Sequence, residues 1–285
     1  MGSVASTLPI GVFDSGVGGL TVWRELRRQL PRESFVYLGD TARLPYGGRS
    51  PAEILQSVRE ISNWMVQQPV KAIVMACNTS SALALEQVRH EFDVPMLGLI
   101  LPGARAAVKR GQRIGAIATQ ATVNSHAYRD AILEINNELE CWEVACPDFV
   151  PLIEAGQMDS PALHAAVREY LQPLLERRID TLISGCTHYP LIEAAIRQVL
   201  PPSVCWIDPA VSLATAVKRE LEFLGLRARG NSPSTRFCIT GDDADRFAEL
   251  AAQWIHPIAG DRILVEIVEL LSIAPAAAER HQRAE

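Results

Sequence analysis

No apolar run in this 285-residue chain approaches the length that a membrane span needs, and no block of basic residues stands out. Its 27 Lys and Arg are outnumbered by 33 Asp and Glu, giving a net charge of −6. Without a basic patch or an aromatic-interleaved basic stripe, the chain reads as having no nucleic-acid partner and no membrane partner. An anionic ligand would have to be held by local donors. The N-terminus lacks the charged start and apolar core of a secretory signal, so a cytoplasmic location is expected. Met1-Gly2-Ser3-Val4-Ala5-Ser6 fits the loose myristoylation pattern, but few residues constrain that pattern and a plain leader is the better reading. Six cysteines are too sparse for a disulfide scaffold, and Cys141 and Cys146 have no second Cys/His pair at zinc-like spacing. Asp14-Ser15-Gly16-Val17-Gly18-Gly19 lacks the glycine register of a dinucleotide fingerprint. Neither a metal nor a cofactor is expected.

What is present is ordinary core material, with 48% hydrophobic and 21% charged residues, in a chain long enough for two compact units. Apolar β-branched runs alternate with amphipathic stretches, the pattern of an α/β protein with mainly parallel sheet. The spacing predicts strands at 8–13, 35–38, 72–75, 113–119 and 181–184, and helices over 20–30, 121–133, 162–175, 211–224 and 243–254. Ser50-Pro51-Ala52-Glu53 carries a capping-box spacing that opens a further helix. Pro102-Gly103 reads as a break, Val150 to Glu154 as extended chain, and Arg236 to Ile239 as a strand. The run from Arg113 to Thr119 resembles the opening run from Pro9 to Ser15, a weak internal duplication. The expected organisation is a first α/β unit of residues 1–100 plus 209–285, a second of 101–208, and a loose tail at 275–285.

Two segments carry the chemistry: Ala76-Cys77-Asn78-Thr79 and Gly185-Cys186-Thr187-His188. Each follows a predicted buried strand, each sets a hydroxyl within two residues of a thiol, and each is expected to lead directly into a helix. In open α/β sheets ligands lie beyond the carboxyl ends of the strands, where Asp14, Cys77, Thr119 and Cys186 all fall. A helix N-terminus favours a thiolate, and its N–H groups, with Asn78, Thr79 and Thr187, suit a carboxylate. Two thiols facing one carbon can remove a proton from one side and return it on the other, which a single base does poorly. Asp14 is a candidate helper for Cys77 and His188 for Cys186, with Glu154 to orient the histidine. Cys141, Cys146, Cys205 and Cys238 read as packing residues.

The segments 13–20, 39–47, 76–79 and 185–191, together with Thr119, 122–125 and 146–154, resemble the glutamate racemases of the aspartate/glutamate racemase family. The match runs in order from residue 10 to about 210. The resemblance implies two similar α/β domains with the active site in the cleft between them, and cofactor-independent interconversion of L- and D-glutamate for peptidoglycan. It implies that Cys77 takes the proton of D-glutamate and Cys186 that of L-glutamate, assisted by Asp14 and His188, with Glu154 supporting the histidine. Asp14, Ser15, Tyr46, Gly47, Asn78, Thr79, Thr119, Thr122, Thr187 and His188 would bind the substrate, and a homodimer is implied. The chain departs from the family pattern at Ser80, where alanine is frequent, and at Asp148, where an apolar residue is expected.

Other readings of the same residues stay open at this stage. The fold could serve aspartate or another amino acid, although related aspartate racemases usually carry an acidic residue where this chain has His188. A thiol hydrolase using Cys186 and His188 would not need Cys77. A non-catalytic inhibitory partner would need neither thiol.

Overall fold

Ten strands fall into two parallel sheets in the computed structural model, which describes residues 4–230, 232–255 and 263–272. The first sheet contains β1 (Ile10–Asp14), β2 (Phe35–Gly39), β3 (Ala72–Met75) and β4 (Met96–Gly98). The second contains β5 (Arg113–Ala118), β6 (Glu140–Ala145), β7 (Thr181–Gly185) and β8 (Cys205–Ile207). The chain then returns to the first sheet with β9 (Thr235–Ile239) and β10 (Val265–Ile267). The spatial orders are β10-β9-β2-β1-β3-β4 and β6-β5-β7-β8. The expected tail at 275–285 lies outside the described residues, as do residues 1–3 of the disordered leader expected over Met1 to Ser6, whose remaining residues belong instead to a short helix, Val4–Thr7.

Register aligns the strand ends that matter. Asp14 lies opposite Gly39, and Phe13 opposite Met75, so the exits of β1 and β3 are level and Cys77 follows beside Asp14. In the second sheet Ala118 lies opposite Gly185, which brings Thr119 and Cys186 out together. Strands β1, β2, β3 and β7 are buried at every position, as helices on both faces of a parallel sheet require.

Helix Leu20–Gln29 turns Leu20, Val22, Trp23 and Leu26 inward, where full burial of each apolar side chain contributes about 1.5–3 kcal/mol. Helix Pro51–Gln67 has the expected capping box, with Ser50 and Glu53 satisfying each other's backbone N–H. Helix Pro209–Phe223, capped by Asp208, packs on both Leu20–Gln29 and Ile100–Val108. Gln29 ties it down by donating to the Val211 carbonyl at 2.9 Å and accepting from Thr215 at 2.9 Å. Phe237 of β9 meets Trp23 edge-on at 5.3 Å between ring centroids, joining the returning segment to the first core.

Three local expectations are corrected. Val150 to Glu154 is not extended but lies in helix Phe149–Glu154, where Pro151 sits in the first turn and its missing N–H costs nothing. Pro102-Gly103 is not a break, for it sits early in helix Ile100–Val108, where the same argument applies to Pro102. The helix expected over 121–133 is two, Gln120–Asn124 and Ala127–Ile135, parted by His126 in the left-handed region at φ 54°.

Candidate active site

The carboxyl ends of the two sheets face one pocket of about 340 Å³, and both Cys77 and Cys186 line it. Cys77 is the N-cap of the six-residue helix Asn78–Leu83, with its sulfur accepting from Ser80 N at 3.5 Å. Since the donor is a backbone N–H, serine serves at position 80 as well as alanine. Cys186 leaves β7 differently. It enters a turn, and a 3₁₀ segment, Tyr189–Ile192, begins only three residues later. The expectation that a helix starts directly after Cys186 is therefore not met.

Each thiol has its own polar neighbourhood. Behind Cys77, Asp14 is wholly buried and its Oδ2 accepts from Gly16 N at 3.0 Å and Gly19 N at 2.9 Å. Its Oδ1 has no hydrogen-bond partner among the described residues. Burial raises the Asp14 pKa above the usual carboxylate range, against the opposing pull of His188 and the backbone donors. Burial first, and then the Asp14 charge, push the Cys77 thiol up to about 12, against the donation from Ser80. The expected lowering by a helix N-terminus is thus overturned at Cys77: one short turn of helix is outweighed by desolvation.

Beside Cys186, the sulfur lies 3.8 Å from His188 Nδ1, and His188 Nε2 lies 3.0 Å from Glu154 Oε1. Burial works against a charged imidazole here, but hydrogen bonding and charge from Cys186 and Glu154 prevail and raise His188 to about 10. The raised value favours the imidazolium at neutral pH, with one N–H toward the Cys186 sulfur and the other toward the Glu154 carboxylate.

Most of the residues singled out in the sequence converge here. Ser15, Tyr46, Gly47, Asn78, Thr79, Thr119, Glu154, Thr187 and His188 line the pocket with the two cysteines. Asp14 and Thr122 stand one layer back. The hydroxyls of Thr79, Thr119 and Thr122 form a triangle with separations of 3.0 to 3.3 Å, linking the two sheets at the pocket floor. Tyr46 donates to the buried Asp40 carboxylate, which also accepts from Arg43 Nε at 2.7 Å and Thr240 at 2.7 Å. Gly47 lies against Thr119, where an added Cβ would come within 3.0 Å of the threonine Cβ.

Some of the site was not anticipated. Cys146, expected to be a packing residue, also lines the pocket, together with Gln120, Val150 and Pro151. It sits just past the end of β6, a strand whose weak pattern gave no sequence signal for that place. Asp148, the departure from the family pattern, accepts from the Tyr170 hydroxyl, so its carboxylate is partnered. Trp254 packs edge-on against the His188 ring at 5.8 Å, a contact between residues 66 positions apart that no local pattern announces. Among the described residues, no group of three or more His, Cys, Asp or Glu side chains is arranged to hold a metal ion.

Comparison with known proteins shows the family. The family model described as Asp/Glu/Hydantoin racemase matches residues 10–217. A glutamate racemase of Gloeothece citriformis is 58% identical over 247 residues, covering 87% of this chain and 88% of that protein. The crystal structure of a glutamate racemase isoform from Bacillus anthracis superposes with a TM-score of 0.88 at 40% identity, covering 93% of this chain and 98% of that one. That of a Francisella tularensis glutamate racemase in complex with D-glutamate gives 0.87 at 34% identity, covering 94% and 100%. On the family match and these identities, the chain belongs to the Asp/Glu/hydantoin racemase family.

Proposed function

We propose that this protein interconverts L- and D-glutamate without a cofactor, by proton transfer between the substrate α-carbon and two thiols, and so supplies D-glutamate for peptidoglycan. The observation that carries the reading is the pair of buried cysteines, one from each sheet, lining one pocket in a chain this similar to glutamate racemases.

In the proposed cycle one cysteine enters as thiolate and the other as thiol. The thiolate takes the α-proton, so an S–H bond forms as the Cα–H bond breaks and the electron pair stays on the α-carbon. The opposite thiol then gives its proton to the other face and becomes the thiolate. No atom or electron is gained overall, and the roles exchange for the reverse direction. Cys77 acts on D-glutamate with Asp14 as its helper. Cys186 acts on L-glutamate with His188, which Glu154 holds in place. The carboxylate and side chain of glutamate are held by Ser15, Tyr46, Gly47, Asn78, Thr79, Thr119 and Thr187, with Thr122 supporting Thr79 and Thr119 from behind and Asp14 and His188 close by.

This reading also takes the two sheets as the cores of two domains, 1–100 with 209–285 and 101–208, and the protein as a cytoplasmic homodimer. Sedimentation of the purified protein tests the dimer.

The test of the reaction is α-proton exchange in heavy water, followed with circular dichroism, on wild type, Cys77→Ser and Cys186→Ser. Wild type should racemise glutamate and not aspartate, with no added cofactor. Each serine variant should lose at least about a hundredfold in racemisation, the low end for a positioned acid or base. Full turnover by Cys77→Ser, or a wild type that exchanges no amino-acid α-proton, overturns the two-thiol mechanism and returns the hydrolase or binding-protein readings.

A further inference from the structure

Asn78 lines the pocket beside Cys77, and its amide has two ends with opposite chemistry. The oxygen accepts and would repel a carboxylate, while the NH₂ donates twice and would bind one. Which end faces the pocket therefore decides what the residue can do. One hydrogen bond in the structure favours one of the two orientations. Tyr128, wholly buried on helix Ala127–Ile135, donates its hydroxyl to Asn78 Oδ1 at 2.6 Å. With the amide oxygen occupied from behind, the NH₂ is left toward the pocket.

The phenol is held on both sides. A Cβ added at Gly103 would lie 3.1 Å from Tyr128 Cε1, and one added at Gly185 would lie 3.1 Å from Cε2. The ring thus fills a slot that two glycines leave open, and Gly185 immediately precedes Cys186. Ile100, Ala104, Ile132 and Ile183 complete the apolar surround. In such a setting burial keeps the phenol protonated far into the alkaline range, so it stays a donor. Tyr128 spans from the residue before one thiol to the residue after the other.

We propose that Tyr128 is a positioning residue that fixes the Asn78 amide with its NH₂ toward the substrate carboxylate, coupling the alignment of the two thiol-bearing strand ends to substrate binding. The proposal rests on the glutamate reading above and adds to it a residue that touches no substrate.

A double-mutant cycle tests it: wild type, Tyr128→Phe, Asn78→Ala and the pair, with kcat and KM measured for both enantiomers. Phenylalanine keeps the ring in its slot and removes only the donor. Tyr128→Phe should raise KM about tenfold for both enantiomers, the scale of one lost hydrogen bond, with kcat changed less than about twofold. In the Asn78→Ala background the same change should leave KM unmoved, because the group it orients is gone. Additive effects, or a fall in kcat at constant KM, would mean a structural role and overturn the proposal.

A second measurement holds even where the variant folds poorly. In wild type labelled with [15N]asparagine, the side-chain NH₂ resonance assigned through Asn78→Ala should shift when D-glutamate is added. An NH₂ indifferent to ligand means that the amide is turned the other way, and the proposal fails. Wild-type turnover of glutamate in the same assay separates the two questions. If another amino acid is the substrate, the glutamate reading fails, and the cycle run with that amino acid still decides the role of Tyr128.

Discussion

Glu154 and His188, 34 positions apart in sequence, meet at 3.0 Å, and the far nitrogen of the same imidazole reaches to 3.8 Å from the Cys186 sulfur. The contact joins the short helix after β6 to the turn after β7, and together with the Cys186 sulfur it raises the pKa of a buried histidine. Replacing Glu154 by Gln should therefore lower His188 from about 10 and move the alkaline limb of the kcat/KM profile to lower pH. Above the limb, each unit of that movement costs about tenfold in rate. A profile that superposes on wild type would remove Glu154 from the mechanism. The same ion pair has a stability consequence with a definite sign. The folded value lies above the unfolded value of 6.5, so the contribution is complete below about 6.5 and is lost as pH rises through about 10. The wild-type melting midpoint should fall across that window more steeply than that of His188→Asn.

Asp14 should behave as a group kept for chemistry at a cost in stability. Its folded pKa is raised, so the ionised form disfavours the native state at neutral pH. Asp14→Asn should raise the melting midpoint at pH 7 while racemisation falls about a hundredfold. Losing that neighbouring charge should also bring the Cys77 thiol down from about 12. The pH dependence of Cys77 alkylation reads this directly, and an unchanged midpoint for alkylation would show that Asp14 does not act on the thiol.

Gly18 is a matter of space. A Cβ there would come within 2.4 Å of His188 Cε1 and Nδ1 and 2.5 Å of Thr187 Oγ1, closer than packed atoms can stand. Gly18→Ala should push the imidazole off Cys186 and lower kcat by at least about tenfold, since a small displacement at a reacting group is expensive. Histidine resonances of the variant would show the displaced ring. Wild-type kcat would mean that the ring has room the structure does not indicate.

Much of this was legible in the sequence, and the reasons are local. Strands β1, β2, β3, β5 and β7 announce themselves as short β-branched runs, and the thiols and Asp14 sit where such runs end. What escaped was of two kinds. Strands β4, β6 and β8 are flanking strands, either only three residues long or without a buried position, and their patterns are too weak to stand out. Pro151 and Pro102 read as breakers because proline usually ends a helix, yet both occupy first turns where no N–H is required. The other kind is long-range. The Tyr128–Asn78 bond spans 50 residues and the His188–Trp254 contact spans the two sheets, so neither leaves a trace in spacing.

The return of the chain to its first sheet sets an order on biosynthesis. Every strand of the second sheet has been made once residue 207 is synthesised, whereas β2 waits for β9 at 235–239 to pair with its open side. Until then Phe35-Val36-Tyr37-Leu38-Gly39, buried at every position in the finished protein, is a bare edge strand of the kind that recruits other chains. A nascent chain stalled between those points has one complete sheet and one adhesive one. Its solubility during synthesis is thereby tied to the arrival of a segment that carries neither thiol.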